Sequence, residues 1–311
     1  MKVLFTENYG EEKFQKIRDL GYDLMYIPER KIENNDEINL AQVLVTYNPF
    51  SNLDIDKMKN LRYIQITSVG IDQVPKRSII ENDILLANNR GGYSIPMGEW
   101  IVMYILEIYK NTMNLYNQQL NKIWRVDYSV EELCGKTIGF IGTGTIATEA
   151  AKRLKAFEVE IWGVNTKGRD TDYFDRCFST EDMDIVFREC DVVVVTIPST
   201  KETIGMINDN KFKIMKDNSV FINVGRGNII HEDDLIKNIR KFKGVALDVF
   251  EEEPLSTENS LWQYENVIIT PHNSWISNMN KDRTFNTIYS NLKSYIQGKN
   301  INNIVDIKKG Y

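Results

Sequence analysis

The sequence is poor in the residues that build disulfide-rich or metal-binding proteins. Its 311 residues include only 3 cysteines and 2 histidines. Cys134, Cys177 and Cys190 are too far apart for a CxxC site, and an odd number leaves one thiol without a disulfide partner. We therefore expect reduced thiols, a cytoplasmic protein and no metal site.

Long apolar runs and blocks of like charge are also missing. No apolar run reaches the roughly 18 residues that a membrane span needs. Residues 1–7 turn polar too soon for a signal peptide. The formal net charge is −6 without a basic block, which disfavours nucleic acid and anionic membranes as partners. Small molecules are the favoured ligands.

Two series of short apolar runs alternate with helical patterns along the chain. A length of 311 residues exceeds what one hydrophobic core usually serves, so two domains are expected. Runs that are apolar at nearly every position indicate parallel strands covered by helices on both faces. The first series is VLFT, YDLMYI, QVLVTY, LRYIQIT and DILLANN; the second is TIGFIG, EVEIWGV, DVVVVTIP, SVFINVG, GVALDVF and VIITPH.

A helical pattern from Pro96 toward Leu120 joins the two series, and the tail from Ser277 to Gly298 is again helical, with an extended piece at 301–305. The chain therefore leaves its first domain, builds the second and returns. The fold class is α/β with two doubly wound parallel sheets. A Rossmann domain of residues 94–276 is inserted into a flavodoxin-like domain made of residues 1–93 and 277–311.

A glycine-rich turn opens the second series. It follows the strand TIGFI and precedes a helical run, which is the context that a dinucleotide fingerprint requires. The first glycine permits the tight turn, and the second lets the backbone approach a pyrophosphate at the helix start. The residues expected to contact the dinucleotide are Gly142, Thr143, Gly144, Thr145 and Ile146.

The end of the next strand bears on the choice of nucleotide. An NAD site usually has Asp or Glu there to bind the ribose 2′-OH, but this chain has Asn165, followed by Thr166, Lys167 and Arg169. Two cations without a carboxylate favour the 2′-phosphate of NADP. Asp170 and Asp172 dilute the positive charge, and NAD stays possible.

The two histidines differ in their setting. His231 precedes Glu232-Asp233-Asp234 at a helix start and is most simply an exposed residue. His272 follows the strand VIITP at the carboxyl end, where open α/β sheets bind ligands. Arg226 and Glu253 also follow apolar strands, and glycines flank Arg226. Three such residues on successive strand ends indicate a catalytic site.

The order of a glycine-rich turn at mid-chain, Gly-Arg-Gly, Asp-Val-Phe-x-x-Glu-Pro and Pro-His resembles the D-isomer-specific 2-hydroxyacid dehydrogenase family. Residues 67–72 look like its substrate loop, and Gly98-Glu99-Trp100 looks like its hinge helix. The resemblance runs nearly end to end. It implies an NAD(P)-dependent oxidoreductase that interconverts a small D-2-hydroxy acid and its 2-oxo acid, with residues 94–276 as the cofactor domain and the rest as the substrate domain.

The resemblance also implies roles for individual residues. Arg226 would bind the substrate carboxylate, His272 would be the acid/base, and Glu253 would hold one of its ring nitrogens. The backbone N–H groups of Val69 and Gly70 would bind the carboxylate too. A homodimer is expected on the same ground. The remaining cofactor contacts would be Ile197, Pro198, Thr203, Val224, Gly225, Asp248 (to the nicotinamide amide) and Ser274.

Alternatives remain open at this point. Trp275 and the pair Tyr47-Asn48 are candidate pocket walls. Dehydrogenases of the 3-hydroxyacid type or the lactate/malate type have the glycine-rich turn near the amino terminus, whereas here it begins at Gly142. Relatives that act on formate or phosphite, and a cofactor-sensing, corepressor-like binding protein on the same fold, are the other hypotheses.

Overall fold

The computed structural model describes residues 1–310, and the chain divides into two compact units. Unit 1 consists of Met1–Tyr93 and Ser277–Tyr311, and unit 2 of Ser94–Ile276. Each unit is built on its own sheet. Among the described residues, no helix has both the length and the apolar character that crossing a bilayer would require.

Unit 1 contains a five-stranded sheet with the order β2-β1-β3-β4-β5, and every strand pair is parallel. Its strands are those of the first predicted series. The elements are β1 (Lys2–Phe5), α1 (Glu11–Asp19), β2 (Asp23–Tyr26), β3 (Val43–Thr46), β4 (Tyr63–Ile66), α2 (Lys76–Glu81), β5 (Leu85–Ala87) and, after unit 2, α9 (Asn280–Ile296).

Unit 2 contains a seven-stranded parallel sheet with the order β12-β11-β10-β9-β6-β7-β8. The elements are α3 (Ser94–Tyr109), α4 (Thr112–Leu120), β6 (Thr137–Ile141), α5 (Thr145–Leu154), β7 (Glu160–Val164), β8 (Arg176–Phe178), α6 (Met183–Glu189), β9 (Val192–Val195), α7 (Asp209–Ile214), β10 (Val220–Asn223), α8 (Glu232–Asn238), β11 (Gly244–Leu247) and β12 (Val267–Ile269).

Apolar side chains fill both faces of each sheet. In β9 all four valines are buried, with Val193 and Val195 in one hydrophobic cluster and Val192 and Val194 in another. A strand buried on both faces needs helices on both sides, which is the doubly wound arrangement. The predicted fold class is therefore confirmed.

Three details differ from the sequence-based expectation. The helical pattern from Pro96 to Leu120 is two helices, α3 and α4, because Asn111 between them adopts a left-handed conformation and donates from Nδ2 to Asp127. The short edge strand β8 was not predicted, since Arg-Cys-Phe is not an apolar run. Of residues 301–305, which were expected to be extended, only Ile304 pairs with a strand, in an isolated antiparallel bridge to Ala87.

Candidate active site

The glycine-rich turn lies between β6 and α5 in unit 2. Gly142 has a φ of +104°, and its N–H donates to the Val164 carbonyl at 2.9 Å. Gly144 precedes α5, whose start is not capped by a side chain. Apart from Gly144 itself and its chain neighbours, no heavy atom of the described chain lies within 4 Å of the position that a Gly144 Cβ would take. Open space beside uncapped N–H groups at a ten-residue helix fits a dinucleotide phosphate.

The loop after β7 is organised by Asn165. Its Nδ2 donates to the Arg169 carbonyl at 2.8 Å and to Thr143 Oγ1 at 3.3 Å, and its Oδ1 accepts from Arg169 N–H at 3.0 Å. The amide therefore joins this loop to the glycine-rich turn. Thr166, Lys167 and Arg169 are exposed, and neither cation makes an ion pair within residues 1–310.

The loop after β9 holds three predicted cofactor contacts. Thr203 Oγ1 donates to the Pro198 carbonyl at 2.7 Å and so closes the loop. The Ile197 carbonyl lies 2.8 Å from the position that a Cβ on Gly225 would take, while Val224 N–H donates to Val195 at 3.2 Å. The loops after β9 and β10 therefore touch backbone to backbone.

Arg226 follows β10 in a turn shaped by Asn223. Asn223 Oδ1 accepts from Gly225 N–H at 3.0 Å, and its Nδ2 donates to the Arg226 carbonyl at 3.1 Å. A Cβ on Gly227 would lie 1.8 Å from the Phe250 carbonyl oxygen. The glycines beside Arg226 thus permit the close approach of other backbone segments of the chain.

His272 and Glu253 form a direct pair at the carboxyl edge of this sheet. His272 Nδ1 lies 2.8 Å from Glu253 Oε2, and Glu253 Oε1 accepts from Phe250 N–H at 3.1 Å. The two side chains are 42% and 37% exposed, so the pair is accessible to solvent. Because Glu253 occupies Nδ1, Nε2 is the ring nitrogen left for a proton exchange.

Asp248 holds the turn that carries His272. The Asp248 side chain is fully buried, and its carboxylate accepts from Asn273 N–H at 2.7 Å, Ser274 N–H at 3.0 Å and Thr270 Oγ1 at 2.6 Å. His272 has a left-handed φ of +49°, which an L residue adopts only when its surroundings enforce it. Asp248 is therefore a positioning residue for His272.

Ser274, a predicted cofactor contact, is fully buried, and its Oγ has no hydrogen-bond partner within the described chain. A buried hydroxyl without a partner is costly unless a ligand satisfies it. This unpartnered atom lies in the turn after β12, two residues beyond His272. Together with the space at Gly144, it shows that the residues present fit a bound dinucleotide.

Comparison with known proteins decides the family. The family model described as "D-isomer specific 2-hydroxyacid dehydrogenase, NAD binding domain" matches residues 102–274, more than half of the chain. The chain belongs to this family. The enzyme is thus an NAD(P)-dependent oxidoreductase of the 2-hydroxyacid dehydrogenase class, and its cofactor is a nicotinamide dinucleotide.

Individual relatives agree with this assignment. A glyoxylate reductase of Thermofilum pendens is 31% identical over 70% of this chain and 67% of its own length. A D-3-phosphoglycerate dehydrogenase of Archaeoglobus fulgidus is 31% identical over 88% of this chain, which spans only 53% of that relative. A similar solved structure is that of a D-isomer specific 2-hydroxyacid dehydrogenase family protein from Aeromonas salmonicida. Its sequence is 27% identical to this chain, and the superposition has a TM-score of 0.83 and covers 98% of each chain.

Val69 and Gly70, the other predicted substrate contacts of the enzyme, belong to unit 1, on the loop after β4. Their carbonyls are engaged, because Asn88 Nδ2 donates to Val69 O and Ser68 Oγ donates to Gly70 O, both at 2.8 Å. Their N–H groups have no acceptor among residues 1–310. The loop is therefore fixed while two donors stay available to an anion.

Sequence reasoning missed Tyr104. Its hydroxyl lies 2.5 Å from Thr270 Oγ1, whose single proton is already directed to Asp248. Tyr104 is therefore the donor, and burial raises the pKa of its phenol far above the usual range, so the proton stays in place. The only sequence signal was a tyrosine within the apolar pattern of α3.

Proposed function

We propose that the enzyme interconverts a small D-2-hydroxy acid and its 2-oxo acid, with His272 as the acid/base. The observation that carries the proposal is the 2.8 Å contact between His272 Nδ1 and Glu253 Oε2. A carboxylate on one ring nitrogen fixes the tautomer. The pair lies at the carboxyl edge of a parallel sheet, where such folds bind their ligands.

The proton step follows from this tautomer. In the oxidation, His272 Nε2 takes the proton of the C2 hydroxyl as that carbon becomes a carbonyl carbon. In the reduction, the imidazolium returns the proton from Nε2 to the forming hydroxyl oxygen. The positive charge that the ring gains in the oxidation and loses in the reduction lies next to the Glu253 carboxylate. The nicotinamide cofactor, when bound, accepts or supplies the hydride at C2.

Arg226 would bind the substrate carboxylate and polarise the C2 oxygen, because its guanidinium presents donors in a fixed fork. One of these donors, Nη1, contacts the Gly225 carbonyl at 2.8 Å, which limits the freedom of the side chain. The available N–H groups of Val69 and Gly70 would donate to the same carboxylate. We thus assign the binding and orientation of the substrate to a guanidinium restrained by the Gly225 carbonyl and to two backbone N–H groups.

For the cofactor, we propose NADP in preference to NAD. Lys167 and Arg169 are exposed cations without an ion pair in the described chain, beside a loop that Asn165 joins to the glycine-rich turn. No carboxylate occupies position 165 to bind a ribose 2′-OH. The 2′-phosphate of NADP suits such cations.

We also propose a homodimer that functions in the cytoplasm. Segment 112–130, which follows α3, exposes a series of apolar side chains, with Leu120, Trp124 and Tyr128 at 81%, 101% and 90% exposure. Exposed apolar patches of this kind mark association surfaces. Three cysteines in the free form suit a reducing compartment.

The test is oxidation of NADPH and of NADH with a panel of 2-oxo acids, run beside His272→Ala and Arg226→Ala. The proposal predicts turnover by the wild type and large losses in both variants, with Arg226→Ala raising KM as well. Cofactor binding without turnover of any oxo acid would refute the enzymatic role and favour a cofactor-sensing protein. Turnover of formate or phosphite alone would reassign the substrate.

A further inference from the structure

Three of the five loops at the carboxyl edge of the unit 1 sheet contain acids and no cation, whereas the loop after β2 contains Arg30 and Lys31 and the loop after β5 contains Arg90. Residues 6–10, 47–54 and 67–75, which follow β1, β3 and β4, contain no lysine or arginine and three acids, Glu7, Asp72 and Asp54, the last of which pairs with Lys57 at 3.9 Å. Because β3 is next to β4 in the sheet, the loop after β3 is the neighbour of the Val69-Gly70 turn.

A carboxylate also supports the loop after β3 from within. Glu29 Oε2 accepts from the N–H groups of Tyr47 at 3.1 Å and Asn48 at 3.0 Å. The hydroxyls of Thr6 and Thr46 lie 3.1 Å and 3.2 Å from the same oxygen and 2.7 Å from each other, so one of them donates to the other and the second donates to Glu29. All these donors are neutral. The loop is therefore built around a negative charge that no cation in these contacts cancels.

The same loop is tied to the turn proposed to hold the substrate carboxylate. Gln73 Nε2 donates to the Tyr47 carbonyl at 3.0 Å and to Ser68 Oγ at 2.8 Å, and Ser68 Oγ donates to Gly70 O. Tyr47 and Asn48 are therefore held beside Val69 and Gly70. A 2-oxo acid whose carboxylate bound these N–H groups would have the Glu29-supported loop as its neighbour.

We propose that the enzyme selects short 2-oxo acids whose group at C3 carries no negative charge, and that Glu29 is a residue that determines this specificity. The inference rests on the proposed function. A phosphate or a second carboxylate at C3 would be repelled by the Glu29 carboxylate, from which only the backbone of the loop after β3 would separate it. The loops after β1, β3 and β4 contain no cation that would offset this repulsion. Rejection by like charge is an ordinary means of specificity.

The direct test compares matched substrates on the wild-type enzyme. We expect kcat/KM for hydroxypyruvate to exceed that for 3-phosphohydroxypyruvate by at least about tenfold, and pyruvate to exceed oxaloacetate likewise. 2-Oxopentanoate, whose side chain is of similar length but uncharged, separates the effect of charge from that of size and should be reduced better than 3-phosphohydroxypyruvate. Equal or better use of the anionic members would overturn the inference while leaving the proposed function intact. Failure to reduce any of the five would overturn both.

Two variants test whether Glu29 and the loop after β3 cause the discrimination against anionic substrates. Asn48→Arg adds a cation at an exposed position of the loop, and Glu29→Gln removes the charge while keeping an acceptor for the loop N–H groups. Each should raise the ratio of kcat/KM for 3-phosphohydroxypyruvate over hydroxypyruvate by roughly tenfold. Glu33→Gln, an exposed acid outside this network, is the matched control and should leave the ratio unchanged. An unchanged ratio in both test variants would remove Glu29 and this loop from the explanation.

Discussion

The hydroxyl of Tyr104 on α3 lies 2.5 Å from the hydroxyl of Thr270, which follows β12. Through Thr270 the contact reaches Asp248, which holds the backbone of the turn that carries His272. A buried phenol on α3 thus helps to fix the position of the proposed acid/base.

Replacing Tyr104 by phenylalanine should therefore affect both stability and turnover. Loss of one buried hydrogen bond should lower the free energy of unfolding by about 1 kcal/mol. We also expect a several-fold fall in kcat with little change in KM for the oxo acid, because the His272 turn loosens. Denaturant unfolding and steady-state kinetics measure the two effects.

The control for this variant is Tyr109→Phe. Tyr109 is buried on the same helix, but its hydroxyl has no hydrogen bond within residues 1–310. This change should leave kcat as in the wild type. Equal kinetic losses in the two variants would mean that Tyr104 acts only as part of the core.

The sequence alone predicted the candidate site residues that directly follow a strand. The strands before Gly142, Arg226 and His272 are apolar runs, and parallel sheets place such ends at one edge. The hydrogen bonds that Asp248 accepts, the hydrogen bond from Tyr104 to Thr270 and the donors around Glu29 could not be predicted. They join residues 22 or more apart, or 17 or more in the case of Glu29, through side-chain contacts that leave no periodic pattern.

The two glycines of the dinucleotide turn should differ in their tolerance of alanine. In Gly142→Ala, the new Cβ would lie 2.8 Å from Ile197 Cγ2 in a left-handed backbone conformation, so the protein should be destabilised by about 1–3 kcal/mol. Gly144→Ala places a methyl in open space with an ordinary φ of −77° and should fold normally.

Cofactor binding then separates the two glycines. Because the methyl of Gly144→Ala fills the space assigned to the pyrophosphate, its Kd for NADPH should rise about tenfold or more. Thermal unfolding and fluorescence titration measure stability and binding. A Gly144→Ala protein that binds NADPH like the wild type would place the phosphates elsewhere.

Cofactor preference should depend on the loop after β7. Replacing Lys167 and Arg169 by alanine together should lower kcat/KM for NADPH by about tenfold or more and leave that for NADH nearly unchanged. Arg188→Ala, an exposed arginine on α6 without an ion pair in the described chain, should alter neither value. A parallel loss with both cofactors, or a wild type that prefers NADH, would contradict the NADP assignment.

The apolar segment 112–130 should carry the self-association. Trp124→Glu places a charge on a fully exposed side chain, so it should convert a dimer into a monomer without unfolding the chain. Sedimentation velocity measures the mass, with circular dichroism as the check on folding. Trp262→Glu, at a 53% exposed tryptophan outside this segment, should remain dimeric. A wild type that sediments as a monomer would remove the proposal.

The most direct test of the acid/base assignment is the kcat of His272→Gln with a 2-oxo acid that the wild type reduces. Glutamine can still hydrogen-bond at this position but cannot exchange a proton. We predict that kcat falls by about 10²- to 10⁴-fold while the Kd for the dinucleotide and the melting temperature stay near those of the wild type. A His272→Gln enzyme that keeps wild-type kcat would contradict the central claim.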